Sequence, residues 1–224
     1  MRCDDRWMTW QLDLRDELVS RLPASATHMT TGSVLDCDQL DQWSDLDLHV
    51  DLGEAVEPVD LFAGLDIWAA SEDLSTGQQV LRVVLRDGRR IDLIVEGGGI
   101  QAPAQADDND IRMIAALAAA KLGRQDRLIG LHLILDLMRS CLVQAMLLRD
   151  HDLGTRIHRF GSARDKMAED VARLIRGPIS VSPRPNVVER TVEIYGRWRR
   201  ELEPSYAPDW SGLDALLTRG LGSE

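Results

Sequence analysis

Two aspartates stand two residues apart in Ser44-Asp45-Leu46-Asp47-Leu48-His49-Val50, and this run is where the chain is best equipped for chemistry. It reads as a β-strand over 45–52. Strand side chains alternate faces, so Asp45 and Asp47 project from one side while Leu46, Leu48 and Val50 enter a core. Like charges that close repel, and beside an apolar sheet they are costly unless a cation sits between them. Hard divalent ions take oxygen ligands, and Mg2+ usually takes one or two carboxylates plus substrate phosphates. Upstream, a Gly32-Ser33 turn would let backbone N–H groups approach phosphate oxygens with no Cβ in the way. The chemistry indicated is metal-assisted phosphoryl or nucleotidyl transfer. The competing reading is an ordinary solvent-facing row of acids on a half-exposed sheet.

A third acid favours the first reading. Gln79–Leu85 and Arg90–Val95 are two β-branched runs joined through Asp87-Gly88, the pattern of a hairpin, and Asp92 lies alone among Ile91, Leu93, Ile94 and Val95. If the Asp92 strand lies beside the Asp45/Asp47 strand, all three carboxylates meet on one face. Two metal ions ~3.5–4 Å apart can clamp phosphates and lower the pKa of an attacking hydroxyl. The third carboxylate then either completes a metal site or takes the proton as general base. His49 shares the parity of Asp45 and Asp47, and either lines that site or caps the exposed face.

The elements that must position these residues are strands first and helices after. A helix is expected over 10–21, stopped at Pro23, then a turn over 30–33 and the 45–52 strand; 58–68 is ambiguous. Gly97-Gly98-Gly99 and Pro103 mark a break. Beyond about residue 106 the chain reads helical: Asn109 capping a helix over 110–122, a long apolar helix over 126–150, and shorter amphipathic segments near 163–176, 186–202 and 209–219. This is an α+β pattern with domains at 1–105 and 106–224, a mixed β-sheet flanked by helices followed by an α-helical bundle.

Bulk properties narrow the partners. At 224 residues the chain can bury a proper core, and 44% hydrophobic with 28% charged residues is ordinary globular composition. A net charge of -11 opposes nucleic-acid binding, which draws on Lys/Arg contacts to phosphate, and suits a cationic small molecule. Cys3, Cys37 and Cys141 form no CxxC pair and imply neither a disulfide framework nor a zinc site. The N-terminus has no apolar h-region. The most apolar stretch, 128–148, is interrupted by His132, Asp136 and Arg139, which argues against a membrane span. Cytoplasmic residence is the expectation.

Gly32, Ser33, Asp45, Asp47 and Asp92 together resemble the motif of the nucleotidyltransferase superfamily typified by DNA polymerase β and the antibiotic nucleotidyltransferases. That motif is Gly-Ser, a spacer, Asp-hydrophobic-Asp and a later strand acid, matched here over about 30–95. The resemblance implies a nucleotidyltransferase-fold sheet in which Asp45 and Asp47 hold Mg2+ and the nucleoside triphosphate. Asp92 would be the third carboxylate, as metal ligand or base. The run Ala118–Leu128 with the following helix looks like the helical domain of streptomycin- and lincosamide-type members, where a lysine near the first helix end approaches the triphosphate. Lys121 matches that lysine; alternatively it is a C-terminal charge favoured by the helix dipole.

On the 126–150 helix, His132, Asp136, Arg139 and Ser140 form one polar stripe. It is either an internal network between helices or a substrate wall in which His132 and Asp136 meet a cationic or hydroxyl-rich acceptor. The loop 154–161 is dense in polar groups. The resulting expectation is Mg2+-dependent transfer of AMP from ATP, or another NMP, to a hydroxyl of an aminoglycoside- or lincosamide-like acceptor, releasing pyrophosphate. The alternatives are a toxin-type or regulatory enzyme acting on tRNA or a protein, and a non-catalytic nucleotide-binding module. Oligomeric state is not encoded in any motif.

Overall fold

The computed structural model describes residues 5–35, 40–53, 57–75, 77–156 and 161–222, with side chains from residue 10 onward. Cys3, Cys37 and the 157–160 part of the polar loop lie outside the described residues. The chain is α+β, a five-stranded mixed sheet with six helices. It forms two compact units: Met1–Met113 with Asp214–Glu224, and Ile114–Leu213.

The first unit holds helix α1 (Asp5–Val19) and strands β1 (Thr27–Thr31), β2 (Leu46–Asp51), β3 (Ile67–Asp73), β4 (Gln79–Leu85) and β5 (Arg90–Glu96). In space the order is β1-β2-β5-β4-β3, antiparallel throughout except for the parallel pair β2–β5. From β2 the chain crosses to the far edge, and the β3-β4-β5 meander then returns strand by strand until β5 docks beside β2. The predicted hairpin is β4–β5, with Leu85 N–H donating to the Arg89 carbonyl at 2.8 Å.

Two strands differ from the sequence reading. Thr27–Thr31 is strand β1, where a turn was expected from residue 30, and Gly32–Leu35 is a short 3-10 turn after it. Thr27-His28-Met29-Thr30-Thr31 is an edge strand without a buried face, so it carries no apolar alternation to read. Strand β3 likewise emerges from what had no assignment beyond Trp68.

One face of the sheet is the core. Leu46, Leu48, Val50, Leu81, Val83, Ile91, Leu93 and Val95 form it with Leu14 and Leu18 of α1, all at 2% exposure or less. Gln11 falls on the same α1 stripe, three and seven residues before those leucines, and is completely buried.

Side-chain amides finish the β3 edge. Asn109 does not cap α2 (Asn109–Gly123); its Oδ1 accepts from Ala70 N–H at 2.9 Å and its Nδ2 donates to the Ala70 carbonyl, as a neighbouring strand would. At Ala70 the open edge is thereby paired. Asp108 stands before the helix instead, its carbonyl accepting from Arg112 N–H at 3.1 Å.

The hairpin turn receives the C-terminal part of α6 (Ser211–Leu221). Gly88 has φ +83, and a Cβ there would stand 2.6 Å from the Ala215 carbonyl carbon. The backbone of Gly220 in turn lies against the Trp43 ring.

In the second unit the backbone of the packing is α3 (Arg127–Leu153) against α5 (Val187–Leu202), with α4 (Met167–Leu174) beside α3. Asp126 caps α3, and Gly154 ends it in the left-handed conformation at φ 63. Asn186 and Glu189 form a reciprocal capping box on α5. The buried stripe of α3 is Ile134, Leu137, Met138, Cys141, Ala145 and Leu148. Burial pushes the Cys141 thiol up to about 12, consistent with a packed hydrophobe.

Much of the apolar surface of α3 outside this stripe is not buried: Leu128 is 87% exposed and Leu135 48%. A 3.6-residue period gives one buried face whatever the opposite face contains. By length and composition α3 is also apolar enough to cross a membrane.

Neither amide atom of Gln11 is hydrogen-bonded. An unmade buried hydrogen bond costs about 1–3 kcal/mol. Gln11→Met, close in length and flexible, is expected to raise stability by about 1 kcal/mol in urea unfolding.

Candidate metal centre

The site lies on the sheet face opposite the core. An Asx turn sets its entry: Asp41 Oδ1 accepts from Trp43 N–H at 2.9 Å, and Ser44 Oγ accepts from Asp41 N–H at 2.9 Å. The chain then enters β2, where half-buried Asp47 and His49 alternate with Leu46, Leu48 and Val50. Because β2 and β5 run parallel with Asp47 opposite Asp92, the two acids share a face and a level. Asp45 joins them from the residue before β2. Carboxylate oxygens of Asp45, Asp47 and Asp92 all lie within 4.8 Å of one another.

The Gly32-Ser33 turn reaches the same place. Thr31 pairs with Asp47 across β1–β2, which brings the next residue over that carboxylate. Gly32 has φ +70, and a Cβ on it would overlap Asp47 Oδ2 and stand 2.7 Å from Cγ. Glycine is therefore needed twice, for the backbone angle and for the close approach. Ser33 Oγ is buried and makes no hydrogen bond.

Two arginines that the sequence reading passed over enter the cluster. Arg90 is 6% exposed; its Nη2 donates to the Trp43 carbonyl at 2.7 Å and stands 3.1 Å from Asp45 Oδ2. Arg82 lies directly opposite Asp92 on β4, with Nε 3.6 Å from Asp92 Oδ2. Strand parity would have found Arg90, two residues before Asp92. Finding Arg82 requires the hairpin register as well.

Burial, and next the negative charge of Asp45, raise the Asp92 pKa above the ordinary carboxylate value, against the opposing pull of Arg90 and Arg82. The same face continues past the triad: His49 Nε2 is 3.5 Å from Glu96 Oε1, which also accepts from Gln78 Nε2.

The donor set fits a hard divalent ion. All three ligands are carboxylates, an orphan hydroxyl lies buried in the adjacent turn, and a backbone cradle that any Cβ would fill sits over Asp47. Among the described residues this is the group of three or more His, Cys, Asp or Glu side chains able to hold a metal.

The remaining predicted site residues belong to the second unit. Lys121 stands in the last turn of α2, Nζ 3.9 Å from Asp126 Oδ2. His132 Nε2 is 3.7 Å from Asp136 Oδ2, and the Asp136 carbonyl accepts from Ser140 Oγ. The His132 side chain is 72% exposed, so the stripe is not an internal network between helices.

No protein-family model matches the chain, and no curated protein matches it. Its chemistry is therefore read from these residues alone.

Two outcomes test the geometry. Gly32→Ala should lower stability by about 1 kcal/mol through the left-handed backbone angle. It should also weaken Mg2+-induced thermal stabilisation, because the Asp47 carboxylate must move. The second concerns Asp92 in metal-free buffer. Its folded pKa lies above the unfolded one, so folding takes up a proton and stability falls as pH rises out of the carboxylate range. Asp92→Asn should therefore melt higher than wild type at neutral pH, with the gap closing below about pH 4, where the acid is neutral in both states.

Proposed function

We propose that this chain is a divalent-metal-dependent nucleotidyltransferase of the polymerase β-like superfamily, its sheet being the nucleotidyltransferase core and its second unit a helical substrate-binding domain. It moves AMP from ATP, or another NMP, to a hydroxyl of a small antibiotic-like acceptor such as an aminoglycoside or lincosamide, in the cytoplasm. The observation that carries this reading is the convergence of Asp45, Asp47 and Asp92 within 4.8 Å, beside a glycine at which a Cβ would overlap the Asp47 carboxylate.

Each residue has a task. Asp45 and Asp47 would hold Mg2+, with Asp92 as third carboxylate. When bound, the ion neutralises phosphate charge and acidifies an attacking hydroxyl. Gly32 lets the main chain close on the Asp47 carboxylate, and Ser33 Oγ supplies a hydroxyl donor for a phosphate oxygen. The acceptor oxygen attacks the α-phosphorus in line, a new P–O bond forms, and the bond to the leaving pyrophosphate breaks. The acceptor proton passes to Asp92, whose burial raises its pKa above the ordinary carboxylate value. Lys121 is assigned to the triphosphate, and His132 with Asp136 to the acceptor. The net charge of -11 supports a cationic acceptor over nucleic acid.

Purified protein with Mg2+ and α-labelled ATP should label a member of an aminoglycoside and lincosamide panel. Asp47→Asn should reduce labelling by about 100-fold or more, the scale of losing a group that stabilises transition-state charge. Label appearing on tRNA or protein instead would replace the small-molecule acceptor, and absence of nucleotide binding would remove the assignment.

A further inference from the structure

The first unit carries its own cations into the carboxylate cluster. Arg90 Nη2 is 3.1 Å from Asp45 Oδ2, and Arg82 Nε is 3.6 Å from Asp92 Oδ2. Among the described residues, Asp45 and Asp92 thus each face a guanidinium. The two arginines differ in freedom. Arg82 has a side chain 44% exposed and can move aside. Arg90 cannot: its side chain is 7% exposed, it is tied to the Trp43 carbonyl at 2.7 Å, and its Nε is buried without a hydrogen-bond partner. Its charge therefore stays beside Asp45 whatever binds.

A fixed guanidinium has two opposite effects on a cation site. It orients Asp45, and it repels the incoming ion in surroundings that screen poorly. A nucleoside triphosphate reverses the balance, since it brings several negative charges and its own oxygen ligands. We propose that Arg90 is a positioning residue that holds Asp45 in place while keeping the triad's affinity for a free divalent ion low. This rests on the metal-site reading above and adds how an arginine of this chain sets the affinity of that site.

Mn2+ binding, followed by loss of the free-ion paramagnetic resonance signal, tests it on the full chain. Wild type should bind Mn2+ weakly alone, and with a non-hydrolysable ATP analogue it should remove more free Mn2+ than the same analogue does without protein. Arg90→Met should bind Mn2+ alone about tenfold or more tightly than wild type. Arg90→Lys keeps the charge and should stay near wild type. Arg82→Gln, at a surface position that tolerates change, should tighten binding by about threefold and decides the matter if Arg90→Met does not fold. A folded Arg90→Met protein that binds Mn2+ no better than wild type overturns the proposal, as does tight binding by wild type without nucleotide. Failure of the metal reading itself looks different: wild type with nucleotide would then remove no more free Mn2+ than the nucleotide alone, and Arg90→Met and Asp47→Asn would bind the ion equally poorly.

Discussion

The parallel pairing of β2 with β5 is the constraint on which the site depends. Its register sets Asp47 level with Asp92, and neighbouring strands lie about 4.8 Å apart, so two carboxylates are held close by main-chain hydrogen bonds alone. Neither acid can relieve the repulsion by slipping. A shift of one residue would turn Leu46, Leu48 and Val50 out of the core and the acids into it. The hydrophobic face thus maintains an electrostatic arrangement that the carboxylates would not adopt by themselves.

The rest of the first unit makes that pairing rigid. The β3–β4–β5 meander presents β5 to β2 from one side only, with Leu14 and Leu18 of α1 packed behind. Asn109 pairs with Ala70 on the β3 edge. Gln79 does a related task inside, exchanging hydrogen bonds with the main chain of Ile100 at 2.8 and 2.7 Å, which anchors the chain leaving β5. Buried polar groups of this kind are costly unless fully paired and directional when they are. Here they hold sheet to connecting segments without adding charge near the site.

The acids were legible in the sequence because period-two alternation and carboxylate chemistry are both local. Leu46, Leu48 and Val50 announce the face on which Asp45 and Asp47 stand, and the Asp87-Gly88 turn announces the strand of Asp92. What escaped is whatever depends on pairing between distant segments. Strand β1 buries no face, so Thr27–Thr31 has no periodic signal. Asn109 precedes a helix, a position where asparagine ordinarily caps, yet the open edge at Ala70 takes its side chain instead. Arg82 and Arg90 look like surface charges on a hairpin until the register shows what they face. Helix α3 is apolar along most of its sequence, yet among the described residues it buries one stripe and leaves Leu128 and Leu135 exposed.

The return of α6 to the first unit makes that unit discontinuous along the chain. Gly220 lies against Trp43, whose carbonyl holds Arg90, which in turn holds Asp45. During synthesis from the N-terminus every strand and every site residue of that unit is made before the helix that covers Trp43. The whole second unit emerges in between. The nascent sheet must wait with an indole ring uncovered, and the contact that supports the Trp43–Arg90–Asp45 chain closes between segments far apart in sequence, the kind of contact that slows folding. The carboxylate cluster is thus among the first parts of the protein to be translated and among the last to be fully supported.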